Sequence, residues 1–314
     1  MAENPLVSVV IPVYRGEKTI GPLVERLISV FAGRRLQIVL VNDASPDNSH
    51  AVCLESHEKH PDTVKYIRLA RNFGEHNAVM AGLNHAGGDY VIIMDDDFQN
   101  PPEEAPKLLE KALEGDFDIV YSQYEDKKHH WFRNLGSRFN DAVANYMLDK
   151  PKDLYLSSFK CLSRMAVREI ISYKGPFPYI DGIALNITRN IGVVMARHEE
   201  RASGESGYTF KKLVRLWLSL FFNFSIIPLR TSLIMGFLLS GLGFILCAEI
   251  VIEKIFYPGT PLGWAFIATT ILIFSGVQLI IIGVLGEYVG RIFLTINNIP
   301  QYVVKSAHGT GKRP

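Results

Sequence analysis

Tyr90-Val-Ile-Ile-Met-Asp-Asp-Asp-Phe-Gln99 runs five apolar residues straight into three carboxylates, with Gly87-Gly88 ahead and Pro101-Pro102 behind. A short apolar run bounded by breakers predicts a strand buried in a parallel sheet. The chain leaves the sheet at the carboxyl end of that strand, where open α/β folds hold their ligands. If the extended conformation persists, Asp95 and Asp97 point to one side and Asp96 to the other. Two carboxylates on one side can hold one hard divalent cation, with a ligand's phosphates completing the shell. A solvated acidic turn would show the same triplet, so the flanking chain has to decide.

Upstream, Val7-Ser-Val-Val-Ile-Pro-Val13 is a β-rich run, followed by helical spacing of Leu23, Val24, Leu27, Ile28 and Phe31. Gln37-Ile-Val-Leu-Val41 leads into Asn42-Asp-Ala-Ser-Pro-Asp47, a turn cluster able to cap a helix. Val64–Leu69 reads as a third strand, with a helix from about Glu75 to Asn84 after it. Downstream, a Pro-capped helix over about 102–113 and a strand Phe117-Asp-Ile-Val-Tyr121 complete five β/α alternations. Such alternation predicts a parallel, doubly wound sheet of nucleotide-binding type.

After Tyr121 the pattern loosens. Lys127-Lys-His-His130 leads into an expected helix, Trp131–Met147, carrying Arg133 and Arg138. Residues 197–208 are polar and glycine-bearing, which suits a mobile loop. Next, Leu213, Leu216, Trp217, Leu220, Phe221 and Phe224 recur at helical spacing behind Lys211, Lys212 and Arg215. This predicts an amphipathic helix, over 209–230, lying in a membrane surface. Two uncharged stretches follow, giving expected transmembrane helices over about 231–252 and 264–285. The short link between them makes a hairpin. Basic residues gather on its flanks (Lys211, Lys212, Arg215, Arg230, Arg291, Lys305), so the positive-inside rule puts both termini and the 1–208 domain in the cytoplasm. The last residues, from Ala307 to Pro314, read as the disordered end of a 291–314 tail.

Composition narrows the class. Among 314 residues the net charge is +1, which argues against nucleic acid as a partner. A mean hydropathy of +0.12 is high for a soluble enzyme. Cys53, Cys161 and Cys247 are scattered with no CxxC pair, which fits neither a disulfide framework nor a zinc site and suits a reducing compartment. No basic segment followed by a long apolar core opens the chain, so no signal peptide is expected.

Five motifs, taken in order, resemble the family 2 (GT-A fold) glycosyltransferases. They are Val9-Val-Ile-Pro-Val-Tyr14, Val41-Asn-Asp-Ala-Ser-Pro-Asp47, Arg71-Asn-Phe-Gly74, Met94-Asp-Asp-Asp-Phe-Gln-Asn-Pro-Pro102 and Leu285-Gly-Glu-Tyr-Val-Gly-Arg291. More narrowly, the chain is similar over nearly its whole length to the polyprenyl-phosphate glycosyltransferases, which include dolichyl-phosphate mannose synthase, the bactoprenol glucosyltransferases and the undecaprenyl-phosphate aminoarabinose transferase. The resemblance implies a GT-A catalytic domain, an interfacial helix and a two-helix membrane hairpin. It implies inverting transfer of a sugar from a nucleotide, UDP first among them, to a polyprenyl phosphate at the inner membrane, with Mg²⁺ or Mn²⁺ as cofactor.

The resemblance also implies roles. Pro12 and Tyr14 would border the nucleotide, Asp43 would hold base or ribose, and Asp95 and Asp97 would match the metal-binding D-x-D. Gln99 would stand beside the donor phosphates. Arg133 would meet the lipid phosphate, helped by Lys127, Lys128 and Arg138, and Arg201, Ser206 and Tyr208 would belong to a loop closing over the site. Assembly of several copies, a tetramer by family analogy, is implied too. Four positions, at three sites, depart from the family pattern. Arg15-Gly16 stands where Asn-Glu is common, leaving Glu17 as the nearby candidate for the nucleotide contact. Tyr124 replaces an arginine, and Ser158 replaces an aspartate on the acceptor side.

Chemistry agrees with this assignment. A divalent cation offsets charge building on a departing diphosphate. An acceptor phosphate is already anionic near neutral pH, so it needs cations to steer it rather than a strong base, and arginine grips phosphate through two bonds. Two other readings stay open on sequence alone: a glycosyltransferase with a non-lipid acceptor, and a non-catalytic membrane-anchored binder of sugar nucleotides.

Overall fold

In the computed structural model the residues described are 4–124, 154–199, 227–257, 263–297 and 299–309. They form two units, one of residues 1–209 with 298–314 and one of residues 210–297. The expected helix over 131–147, the loop over 200–208 and the interfacial helix up to residue 226 lie outside the described residues.

The first unit is built on an eight-stranded sheet. Its first half follows the apolar runs closely: β1 Val7–Val13, β2 Leu36–Asn42, β3 Val64–Leu69 and β4 Tyr90–Ile93. Helices α1 Ile20–Val30, α2 Ser49–Lys59 and α3 Glu75–His85 connect them. These four strands are parallel, with β1 between β2 and β4 and β3 outside β2. Alternation along β1 sorts its side chains to two helical layers. Val7, Val9, Ile11 and Val13 share a core with Leu23 and Leu27 of α1. Val10 faces α3, where a Cβ on Gly82 would overlap the Val10 side chain and crowd Val41. Glycine there lets the helix lie against the sheet.

The second half departs from the sequence expectation. A short 3₁₀ turn, Pro102–Glu104, and α4, Ala105–Gly115, lead to β5, Ile119–Tyr124, which starts two residues later than expected. β5 does not pair with β4. A four-residue strand, β6 (Lys160–Ser163), inserts between them, antiparallel to both. α5, Arg164–Ser172, and α6, Ile180–Ile187, follow, and β7, Ile191–Ala196, pairs parallel with β5 at the edge. The final order is β7-β5-β6-β4-β1-β2-β3-β8, mostly parallel but not wholly so.

The eighth strand corrects the reading of the tail. β8, Val304–His308, pairs antiparallel with β3, so Ala307 and His308 are ordered strand residues rather than disordered chain. The open edge of β3 supplies the backbone partners, beginning with Ala70 N–H donating to Val303 O at 2.8 Å. His308 then stacks on Tyr66, with ring centroids 5.8 Å apart and planes 13° apart.

The second unit holds two helices, α7 Ile227–Phe256 and α8 Trp264–Ile296, both long and apolar enough to cross a membrane. α8 continues past the uncharged stretch, and Arg291 closes onto Glu287 one turn earlier, Nη2 to Oε1 2.7 Å. Large apolar side chains stand outward, Phe237 at 73%, Phe244 at 80% and Leu279 at 69% exposure.

Candidate active site

Strands β1, β2 and β4 end side by side, and each is followed by a residue in the left-handed backbone region. These are Arg15 (φ 63°), Ala44 (φ 51°) and Phe98 (φ 61°), three of the four non-glycine residues with positive φ among those described. Such conformations cost about 1–3 kcal/mol each and persist where surrounding bonds hold them. The bonds are plain after β1. Arg15 N–H donates to Ser45 Oγ (2.7 Å), Gly16 N–H to Ser49 Oγ (2.9 Å) and Glu17 N–H to Asp47 Oδ2 (3.2 Å). Asp47 in turn accepts from the hydroxyls of Ser45 and Ser49. In dinucleotide-binding folds the amides after the first strand cradle phosphate. Here side chains after β2 occupy them.

The acidic triplet begins where β4 stops. Met94 N–H still reaches Val10 O at 3.2 Å, and the chain bends from Asp96 onward. Asp95 Oδ2 accepts from Ser158 Oγ at 2.6 Å, so the serine at the departed position contacts the first carboxylate directly. Asp97 Oδ1 accepts from Gln99 N–H at 3.1 Å. Asp96 turns to the loop after β1, where it accepts from the Tyr14 amide, and its Oδ2 is buried with no hydrogen-bond partner.

Carboxylates crowd this crevice. Burial, with the neighbouring charge of Glu75, pushes the Asp95 carboxyl up to about 6 against the pull of the Ser158 bond and Lys160. Burial and the charges of Asp95 and Asp97 push Asp96 up to about 7. Glu75, at the start of α3, is open to solvent along the crevice, yet the protein walling it also raises its carboxyl, as do Asp181 and Asp97. Among the described residues one buried cation answers them. Lys160 of β6, 3% exposed, is paired with Asp181 of α6, 6% exposed, and Tyr121 OH donates to the same Asp181 oxygen at 2.9 Å. His76, edge-on to Tyr179 at 5.1 Å between centroids, is held down to about 4 by burial.

The remaining expected residues fall as follows. Pro12 is in β1, in register with Val41, and Tyr14 is 45% exposed at the strand's end. Asp43 is buried, and its two oxygens accept from Phe73 N–H (2.7 Å) and Gly74 N–H (2.8 Å), fixing the Arg71–Gly74 turn; burial raises its carboxyl. Glu17 Oε2 accepts from Asn48 N–H at 3.0 Å, bracing the start of α2. Gln99 O accepts from Glu199 N–H at 2.9 Å. Lys127, Lys128, Arg133, Arg138, Arg201, Ser206 and Tyr208 lie outside the described residues. Sequence reasoning missed Glu75, Lys160 and Asp181. The one available signal was a lysine inside the apolar run Phe159-Lys-Cys-Leu162.

Asp95 and Asp97 fit a hard divalent ion by donor type, since both offer carboxylate oxygens and lie among unbalanced negative charge. Among the described residues no three side chains form a ready metal cage. Such an ion would therefore need ligand oxygens as well, as Mg²⁺ sites built on one or two carboxylates do.

Residues 8–171 match the model of glycosyl transferase family 2, which covers more than half the chain. The chain belongs to glycosyl transferase family 2. Its relatives include the undecaprenyl-phosphate 4-deoxy-4-formamido-L-arabinose transferases of Enterobacter sp. (strain 638), 32% identical over 97% of this chain and 94% of that protein, and of Proteus mirabilis (strain HI4320), 33% identical over 98% and 95%. Solved structures confirm the GT-A fold of this family 2 member. Glucosyl-3-phosphoglycerate synthase from Mycobacterium tuberculosis, in complex with Mn²⁺, UDP-glucose and phosphoglyceric acid, superposes with a TM-score of 0.51 at 16% identity, covering 69% of this chain and 78% of that one. Mannosyl-3-phosphoglycerate synthase from Rubrobacter xylanophilus gives 0.50 at 16% identity, covering 82% and 79%. The family 2 enzyme is thus a glycosyltransferase, carrying two helices able to span a bilayer.

Proposed function

We propose that this enzyme moves a sugar from a nucleotide donor, a UDP-sugar, to a polyprenyl phosphate at the cytoplasmic face of the inner membrane, with Asp95 and Asp97 holding Mg²⁺ or Mn²⁺. The observation that carries the reading is the acidic end of β4 beside a β1 loop whose amides are already engaged. With those amides spent, a diphosphate needs another source of positive charge, and the crowded carboxylates need the same. Asp95 and Asp97 would hold the ion, which when bound would supply Lewis-acid stabilisation of the departing diphosphate. Ser158 orients Asp95, and the Gln99 amide orients Asp97, so both carboxylates face the donor with little freedom. Tyr14 offers an exposed ring to the base at the end of β1. Asp43 shapes the nucleotide pocket through the Arg71–Gly74 turn it fixes. The acceptor phosphate is the nucleophile, and Arg133 with Lys128 and Arg138 would hold it in line, inverting the anomeric carbon.

Three further observations support the acceptor and its place. The full-length relatives are named for transfer to undecaprenyl phosphate. The helical unit presents apolar side chains outward, as lipid contact requires. Finally, β8 follows the helices in sequence yet pairs with β3, so the chain re-enters the sheet it left. Two crossings satisfy that connectivity and a single crossing does not. The Mn²⁺ and UDP-glucose bound by the mycobacterial fold relative support the choice of donor and ion.

The test is to incubate purified enzyme with undecaprenyl phosphate and a panel of UDP-sugars, with and without Mn²⁺, and weigh the lipid. A mass increase of one glycosyl unit, dependent on the ion, is expected. Product formed equally in EDTA would overturn the metal role, and transfer only to a water-soluble acceptor would overturn the lipid.

A further inference from the structure

One departure from the family pattern, Gly16, meets the middle aspartate of the acidic triplet in space. The sequence has glycine where the pattern has glutamate after the β1 tyrosine, and it fills the free position of D-x-D with a third aspartate. A Cβ on Gly16 would overlap Asp96 Oδ2, and would also stand 3.1 Å from Ile20 Cγ1 and 3.2 Å from Val13 Cγ1. The Asp96 carboxylate therefore occupies space that only glycine leaves. It is further tied to the same loop by the Tyr14 amide. From the opposite side Gly16 N–H is held by Ser49 Oγ. Between these two holds sits Arg15 in its left-handed conformation. The rival carboxylate, Glu17, is turned away onto Asn48 N–H.

We propose that Asp96 is a positioning residue for donor binding: from the end of β4 it supplies the carboxylate that the β1 loop lacks, and locks that loop, with Pro12 and Tyr14, against Asp95 and Asp97. The inference rests on the donor reading above, because it requires a nucleotide between the β1 loop and the acidic triplet. Asp96 acts through Tyr14 and Gly16, not on the reacting atoms. Its loss loosens the base-binding wall while leaving both proposed ion ligands in place.

The experiment moves the carboxylate back. UDP affinity in Mn²⁺ is measured by calorimetry on the full-length detergent-solubilised protein, for wild type, Asp96→Ala, Gly16→Glu and the double variant, with a thermal melt on each. Asp96→Ala is expected to weaken UDP binding about tenfold, equivalent to ~1.4 kcal/mol. Gly16→Glu alone is expected to weaken it at least as much, because the new side chain collides with Asp96. The double variant should return to within about threefold of wild type, since space and charge are both restored. Additive losses in the double variant would overturn the proposal. So would Asp96→Ala binding UDP as wild type does, even with a lowered melting temperature, since that marks a purely structural aspartate. Wild type without affinity for UDP in Mn²⁺ is a separate result: it removes the donor reading, and this inference with it.

Discussion

Asp97 stands in a crevice already crowded with carboxylates, and this gives its variants an uncommon signature. Asp97→Asn removes one of the two proposed ion ligands and also relieves repulsion on Asp95, Asp96 and Glu75. Turnover should fall by about two orders of magnitude or more, while the melting temperature of ion-free protein holds or rises; steady-state rates and a melt in EDTA check both. Lys160→Met should do the reverse. It strands Asp181 in the interior, costing about 3–5 kcal/mol, and adding Asp181→Asn should recover part of the loss in thermal melts. His76 sets a pH dependence. Its folded value of about 4 lies below the ordinary 6.5, so between those values the unfolded chain binds the extra proton and stability falls as pH falls. His76→Gln should flatten the pH dependence of unfolding free energy across pH 4–6.5, removing up to about 3 kcal/mol of its variation, as denaturant titrations at each pH would show. The acidic triplet is legible in sequence because three carboxylates interrupt an apolar run. Lys160 and Asp181 are not, because a lone lysine and a lone aspartate 21 residues apart read as surface charges until β6 and α6 are placed. Asp96's partner is hidden for the same reason, since Gly16 is distant in sequence and adjacent only through the β1–β4 pairing.

Among the elements, those that were legible are long and locally consistent. β1 to β4 are apolar runs between turn formers, and α1 buries Ile20, Leu23, Val24 and Leu27 at helical spacing. β6 escapes notice because it is four residues with a buried lysine at its start. β8 escapes because Val304-Lys-Ser-Ala-His308 alternates half-buried with exposed residues and has almost no apolar content. Its strand character comes from β3, whose edge offers a ladder in the register Tyr66 to His308 and Ile67 to Ala307. An uncovered strand edge invites pairing with other chains. Deletion of residues 303–314 should therefore lower the melting temperature by several degrees, for a loss of roughly 1–3 kcal/mol, and increase light scattering on heating. A stop after residue 309, which keeps the strand, should do neither.

For the molecule as a whole, the connectivity of sheet and hairpin makes a topological prediction. Single cysteines placed at Asn4 and at Gly309, in a background lacking Cys53, Cys161 and Cys247, should react with an impermeant maleimide from the same side of sealed inverted vesicles. A cysteine in the 258–262 link should react only after the membrane is permeabilised. Labelling of residues 4 and 309 from opposite faces would break the hairpin reading. The α/β class, the two long apolar helices and the acidic end of β4 were all readable from amino-acid order, because each is written in local pattern. The insertion of β6 and the return of β8 are long-range pairings, and no local pattern encodes a partner.

That return has a consequence for how the enzyme is made. The ribosome releases β8 last, after both helices have emerged, so the edge of β3 stays open throughout the synthesis of the hairpin. If the helices cross as proposed above, completion of the sheet would wait on their insertion: a nascent chain whose second helix failed to come back across the bilayer would strand its final strand on the wrong side. Its unzipped edge would be left for proteases to find, so on that topology the pairing of five residues would separate correctly inserted chains from the rest.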